Sequence, residues 1–176
     1  MNMNEKKGEA EEAFTIKPYS RLVSLPIRPE HIFHFPLGLP AFEEFKNYVF
    51  TIKPDTSPFM FMNAVEPAGL TFVCVDPFLV HPRYMPRIGL ADQEFLRATR
   101  PEDVLLLSIV TVRPDVRETT ANLQGPLAIN MKTSIGKQII CEGHAYPVRH
   151  RIWDMIETMR TKEKESETYR RKAACR

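Results

Sequence analysis

Apolar and polar positions alternate with a period of two through much of this chain, the pattern of strands that bury one face. Between Thr119 and Cys141 (TTANLQGPLAINMKTSIGKQIIC), Leu127, Ile129 and Met131 alternate with Ala128 and Asn130. Lys132–Gly136 follows as a turn, with Gly136 available for a positive φ. Gln138–Cys141 then returns as a second strand, so the stretch reads as a hairpin. Arg21–Ile27, Glu30–Phe35, Asn47–Lys53 and Phe59–Val65 carry the same signal. Leu70–Val75 is strongly β-forming, and Val104–Val112 (VLLLSIVTV) is apolar enough for a strand covered on both faces.

The period changes in only a few places. Phe35-Pro36-Leu37-Gly38-Leu39-Pro40 brackets a glycine with two prolines and predicts a fixed turn, followed at Ala41–Phe45 by a helical turn with Phe42 and Phe45 inward. Asp76-Pro77 is a helix start, an N-cap followed by proline at the first position. Pro82 and Pro86 limit that helix to one turn before an aromatic loop. Ala91–Thr99 predicts a short helix with Asp92 as cap. Ile152, Met155, Ile156 and Met159 fall at i, i+3, i+4 and i+7, one apolar helical stripe. Many short strands with helices at the edges predict a mainly β fold: an antiparallel β-barrel-like domain with short peripheral helices and a C-terminal helix. The division is a disordered segment at 1–17, a barrel domain at 18–150, and a C-terminal helix and basic tail at 151–176.

A chain of 176 residues is long enough to bury roughly two-thirds of its unfolded surface. No run of about 20 apolar residues could span a bilayer, and the charged N-terminus lacks a signal-peptide core, so a cytoplasmic location is expected. The three cysteines, Cys74, Cys141 and Cys175, read as reduced thiols, the first two as small core residues. The net charge of +2 is uneven: residues 149–176 hold nine basic and five acidic side chains, a net of +4, and the remainder nets −2. A nearly neutral body offers no case for a broad electrostatic nucleic-acid footprint.

Catalytic and metal signatures are missing from the sequence. His31 and His34 would point to opposite faces of a strand, and no H-E-x-x-H or C-x-x-C joins them with His81, His144 or His150. Ser108 lies in an apolar strand without G-x-S-x-G. Ile135-Gly136-Lys137 lacks the earlier glycine of a phosphate loop and joins two strands. Glu43-Glu44 and Glu102-Asp103 read as solvated carboxylates. No metal, no cofactor and no enzymatic activity are expected.

The feature that stands out is aromatic. Phe59, Phe61, Phe78 and Tyr84, with His81 among them, form a stripe whose strand members read as core and whose loop members Phe78, His81 and Tyr84 read as exposed anchors. The helix at Ile152–Met159, with Trp153 beside its stripe, either packs on the barrel or presents an apolar face to another protein.

Several motifs between about Phe33 and His150 resemble the flagellar assembly factor FliW family. FPLGLPAFEEF is similar to its F-x-x-G-[IL]-P-x-F-E motif, VDPFLVHPRY to D/N-P-F-L-x-x-P-x-Y, and EDVLLLSIVTV to E-D-V-x-x-x-x-I-[VL]-T-V. TANL, Gly125-Pro126, the Ile129-Asn130 strand end, Gly136-Lys137-Gln138 and the final YPVRH complete the likeness. SPFMFMNAVEP departs from the family pattern by placing Met62-Asn63-Ala64 where Leu-Gln-Ser stands. The resemblance implies a barrel-like β fold and a non-enzymatic role. Members bind flagellin and also the carbon storage regulator CsrA, a translational repressor of flagellin messenger RNA, so the implied mechanism is partner exchange by a monomer. The candidate partner contacts are Phe59, Phe61, Asn63, Glu66, Phe78, His81, Tyr84, Tyr146, Ile152 and Trp153. The alternative is an RNA-binding barrel using the basic tail and surface aromatics, distinguished by a steep loss of affinity with salt.

Overall fold

Alternation along the strands is realised as a closed barrel with a second core outside its wall. The structure, a computed structural model, describes residues 14–15, 31–142 and 145–174. The expectations for 1–13, the strand at Arg21–Ile27, His144 and Cys175 lie outside the described residues.

The strands are β1 (Phe14–Thr15), β2 (Phe33–His34), β3 (Asn47–Ile52), β4 (Met60–Glu66), β5 (Thr71–Val75), β6 (Arg87–Ile88), β7 (Val104–Thr111), β8 (Thr120–Ala121), β9 (Leu127–Asn130), β10 (Ile135–Gln138) and β11 (His150–Arg151). The α-helices are α1 (Pro77–Val80), α2 (Leu90–Leu96) and α3 (Trp153–Ala174). Hydrogen bonds order nine strands as β11-β8-β7-β5-β4-β3-β2-β10-β9, and β9 pairs back onto β7. Seven of them, β7-β5-β4-β3-β2-β10-β9, therefore form a closed ring with no free edge between them. Every pairing in the ring is antiparallel except β2 with β10, where His34 lies opposite Ile135 in parallel register.

The barrel interior is filled by Phe33, Phe35, Tyr48, Phe50, Met60, Met62, Cys74, Leu105, Leu107, Leu127 and Ile129, all 2 % exposed or less. The alternate residues of the same wall, Val75, Val104, Leu106, Val110 and Ala128, form an outer core with Val80, Tyr84, Ile88, Leu96, Ile152 and Ile156. This second core corrects the reading of β9. One buried face was expected, but all four of its residues are buried because Ala128 meets the helical layer while Leu127 and Ile129 meet the interior. Both cysteines of the described residues are free and buried, and burial pushes the Cys74 thiol up to about 12.

Local expectations hold in part. The Asp76 carboxylate accepts from the Phe78 amide at 2.8 Å and Pro77 opens α1. At α2 the cap is Gly89; the helix starts at Leu90, which puts Asp92 in the first turn, where it pairs with Lys137 of β10. In the hairpin the left-handed residue is Ser134, φ 57°, not Gly136. Ala41–Phe45 is a pair of tight turns with Ala41 at φ 67°, not a helical turn, although Phe42 and Phe45 do pack on the barrel core. The apolar stripe of Ile152–Met159 packs on the outer core, and α3 runs on for a total of 22 residues. Within the segment read as disordered at 1–17, Phe14–Thr15 is paired with β6.

Asp76 is 3 % exposed, and burial raises its carboxyl from 3.8 to about 6, partly offset by the Phe78 amide bond. A raised carboxyl favours the protonated folded state, so folding takes up a proton between the two values and stability rises as pH falls through that window. The full difference corresponds to about 3 kcal/mol. Asp76→Asn keeps the capping oxygen without the charge. Chemical denaturation is expected to show wild type gaining about 2 kcal/mol on this variant between pH 7.5 and pH 4.5; a pH-independent difference would refute it.

Candidate partner-binding surfaces

The candidate contacts separate onto two sides of the barrel. Phe61 and Asn63 lie on the outer face of β4, flanked by Val49 and Thr51 on β3 and Thr71 and Val73 on β5 in direct cross-strand register. Met60, Met62 and Ala64, the alternate residues, point into the barrel. All of the outward side chains except exposed Thr71 are half-buried, and Glu66 is exposed where the strand ends. Asn63 is committed inside this face. Its amide donates to the Thr51 hydroxyl at 3.1 Å and the Phe61 carbonyl at 3.2 Å, while its carbonyl accepts from the Thr71 hydroxyl at 3.0 Å. The Lys53 ammonium stands 5.6 Å from the Phe61 ring centre, a cation–π distance. The result is a mixed face whose apolar content is Phe61, Val49 and Val73 and whose charges, Lys53 and Glu66, stand at its ends.

On the other side the loop aromatics converge. Tyr84 packs on Phe78 at 5.5 Å and on Tyr146 at 4.6 Å, and His81 lies against Tyr84, Tyr146 and His150 at 6.2, 5.8 and 5.3 Å. Tyr84 is 3 % exposed and donates to the Leu123 carbonyl at 2.7 Å, with the Cys141 sulfur at 3.1 Å. It is a core residue, and burial pushes its phenol well above the ordinary tyrosine range. The Tyr146 hydroxyl accepts from the Met85 amide at 2.9 Å. His150 bonds the Val80 carbonyl at 3.3 Å. Burial holds its imidazole below the usual range, His81 adds to that, and the Val80 bond opposes it. The His81 Nδ1 is buried with no hydrogen-bond partner among the described residues. Phe59 packs partly buried on the same outer core.

Ile152 is fully buried. With Tyr84 it leaves the set of residues a partner could touch in this conformation, because the barrel wall already uses both side chains. Trp153, half-buried at the start of α3, has the Arg160 guanidinium 5.8 Å from its ring, and Arg160 donates to the Ser57 carbonyl at 3.1 Å. His150 and Arg160 are the two members of this side that sequence reading missed. Their partners, Val80 and Ser57, lie 70 and 103 residues away in sequence, and the one local signal was the placement of His150 in the last motif.

His31 stacks on Phe33 and bonds the Ser134 hydroxyl at 2.6 Å, whereas His34 turns outward to Asn47. Among the described residues no three His, Cys, Asp or Glu side chains are gathered to hold a metal ion, and no helix is long and apolar enough to cross a membrane.

These features define a class, a seven-stranded barrel closed by one parallel pair and covered on one flank by helices. Residues 18–152 match the FliW protein family. The chain is 38 % identical over 135 residues to the flagellar assembly factor FliW of Moorella thermoacetica, covering 76 % of this chain and 85 % of that protein. It is 37 % identical over 136 residues to the one from Alkaliphilus metalliredigens, covering 77 % and 84 %. A crystal structure of the flagellar assembly factor FliW superposes with a TM-score of 0.65 at 35 % identity, over 73 % of this chain and 89 % of that one. The chain belongs to the FliW family.

Proposed function

We propose that this protein binds flagellin and, when flagellin is scarce, sequesters the translational regulator CsrA, so that flagellin synthesis follows assembly by exchange of partners. It makes and breaks no covalent bond, uses no cofactor, and works as a monomer in the cytoplasm. The observation that carries the reading is the family match across 135 of the 176 residues, 18 to 152. The outer face of β3–β4–β5 supports it: Phe61 and Val49 are half-exposed there on strands of the closed barrel, rigid positions from which apolar side chains can add binding energy at little entropic cost. The RNA-binding alternative gains nothing from α3. Along it Asp154, Glu157, Glu163, Glu165 and Glu167 are interspersed with Arg160, Lys162 and Lys164 ahead of Arg170, Arg171 and Lys172, so its charge is mixed in sign over most of its length.

The test is calorimetric titration of the purified protein with CsrA and with flagellin from the same organism, separately and in competition. A saturable complex with each, and loss of the CsrA complex when flagellin is added, is the expected result. No complex with either, alongside RNA binding that weakens steeply with salt, would replace this reading with the alternative. Phe61→Ala is expected to weaken at least one of the two complexes tenfold or more, about 1.4 kcal/mol, while moving the melting temperature by only a few degrees. Unchanged affinity for both partners would remove this face from the interface.

A further inference from the structure

The connection from β2 to β3 folds over one end of the barrel, where β3 begins and β4 stops with Asn47 opposite Glu66. Pro36 and Pro40 fix two of its φ angles. The amides of Gly38, Phe42 and Phe45 donate to the carbonyls of Phe35, Leu39 and Phe42 at 2.8, 2.8 and 3.1 Å. Gly38, at φ 71°, lies so close to the Glu43 backbone that a Cβ would come within 2.6 Å of the Glu43 Cα, and this approach sets Leu37 beside Glu43. A connection held at so many points still carries apolar side chains to the surface. Leu37 is 56 % exposed at its tip. Phe42 is half-buried against Phe45 at 6.4 Å and against half-buried Phe72 of β5 at 5.2 Å. Around this apolar patch stand Glu43, Glu44 and Glu66, all exposed and in no ion pair. Residues 35–47 and 66–72 hold these three acids and one base, Lys46. The Glu43 carboxyl is held below the usual carboxylate range by its own amide and then by that of Ala41, bonded at 2.9 Å, so it is charged at neutral pH. The exposed arginines Arg113, Arg117, Arg149 and Arg151 lie elsewhere, in β11 and the segments that flank β8 and β11.

We propose that this end of the barrel is a docking surface for a protein with a basic face, whose apolar side chains meet Leu37 and Phe42 while its lysines and arginines face Glu43, Glu44 and Glu66. Rigid presentation of Leu37 limits the entropy lost on binding. Complementary charge speeds encounter and turns wrong partners away. Resting on the function proposed above, the fitting partner is the RNA-binding one, CsrA, because a protein that holds RNA phosphates carries basic surface. The same glutamates repel RNA, so this surface takes the protein and not its nucleic acid.

The experiment is calorimetric titration of CsrA, and separately of flagellin, into wild type, Leu37→Ala, Glu44→Lys/Glu66→Lys and Glu94→Lys/Glu157→Lys. The last reverses two exposed glutamates on α2 and α3, matching the change in net charge away from the barrel end. Leu37→Ala is expected to weaken CsrA binding tenfold or more at every salt concentration. Glu44→Lys/Glu66→Lys should weaken it at least tenfold in about 50 mM salt and by about threefold or less in about 500 mM, as screening removes the charge contribution. The helix variant should stay within about twofold of wild type, as should flagellin binding by all four proteins. Unchanged CsrA binding in either barrel-end variant overturns this inference and leaves the proposed function standing. An equal loss in the helix variant, or an equal loss of flagellin binding, overturns it as well. No complex between wild type and CsrA overturns both.

Discussion

Asn130→Asp is expected to cost at least about 3 kcal/mol of folding stability at neutral pH, more than Asn130→Ala. Asn130 is 2 % exposed and uses both ends of its amide. The nitrogen donates to the carbonyls of Leu96 and Arg97, each at 3.0 Å, and the oxygen accepts from the amides of Lys132 at 2.9 Å and Thr133 at 3.4 Å. One side chain therefore satisfies carbonyls at the end of α2, where Arg97 turns left-handed at φ 54°, and sets the turn between β9 and β10. Aspartate would keep the two acceptor bonds and turn a buried negative oxygen towards two carbonyl oxygens. Alanine would take the side-chain donor from the Arg97 carbonyl and leave the Leu96 carbonyl only the Thr133 hydroxyl at 3.3 Å, but add no charge, at about 2 kcal/mol. Urea unfolding should rank the proteins wild type, Ala, Asp at pH 7.5, with the Asp variant recovering part of its deficit as acidification protonates it. An Asp variant as stable as wild type would show that the α2 end relaxes away from β9, and that this amide does not fasten it.

Much of the barrel was legible because strands with two different burial faces still carry period-two or fully apolar runs. Asn47–Ile52, Met60–Glu66, Thr71–Val75 and Val104–Thr111 all fall within a residue or two of their expected spans. Closure was not legible. It depends on β7 being shared, its first half with β9 and its second with β8, and on the parallel contact of β2 with β10 across a long loop. Neither leaves a mark in local periodicity. The same limit explains the candidate contacts. Phe61 and Met60 differ in exposure by strand parity alone, so their faces could be assigned once the inside was known. Phe78 in α1 and His81 and Tyr84 just after it are close neighbours in sequence, yet Tyr84 is sealed in by Leu123 and Cys141, 39 and 57 residues away. A proline-rich loop gives no period from which to tell the buried aromatic from the half-exposed ones.

Gly136→Ala is expected to destabilise the protein by about 3 kcal/mol, and the reason differs from the one the turn pattern suggested. Gly136 sits inside β10, opposite Ile129, with Ser134 making the left-handed turn. A Cβ at position 136 would lie 2.3 Å from Cζ of Phe35, 2.5 Å from Cε2 and 2.7 Å from Cε1, so the ring edge occupies the space a side chain would need. Phe35 is fully buried and held edge-on by Tyr48 at 5.3 Å, which leaves it little freedom to withdraw. The parallel pairing of β2 with β10 produces this contact, joining the FPLGLP turn to the Gly-Lys-Gln strand. Backbone entropy alone would make alanine in a strand slightly stabilising, so the sign of the measured change separates the two accounts. Phe35→Leu removes the ring atoms that would collide. In that background Gly136→Ala should cost less than about 1 kcal/mol, which gives a coupling of about 2 kcal/mol in a double-mutant cycle. Additive costs would mean that the Phe35 ring and Gly136 do not share this space, and that the seam between β2 and β10 is packed in some other way.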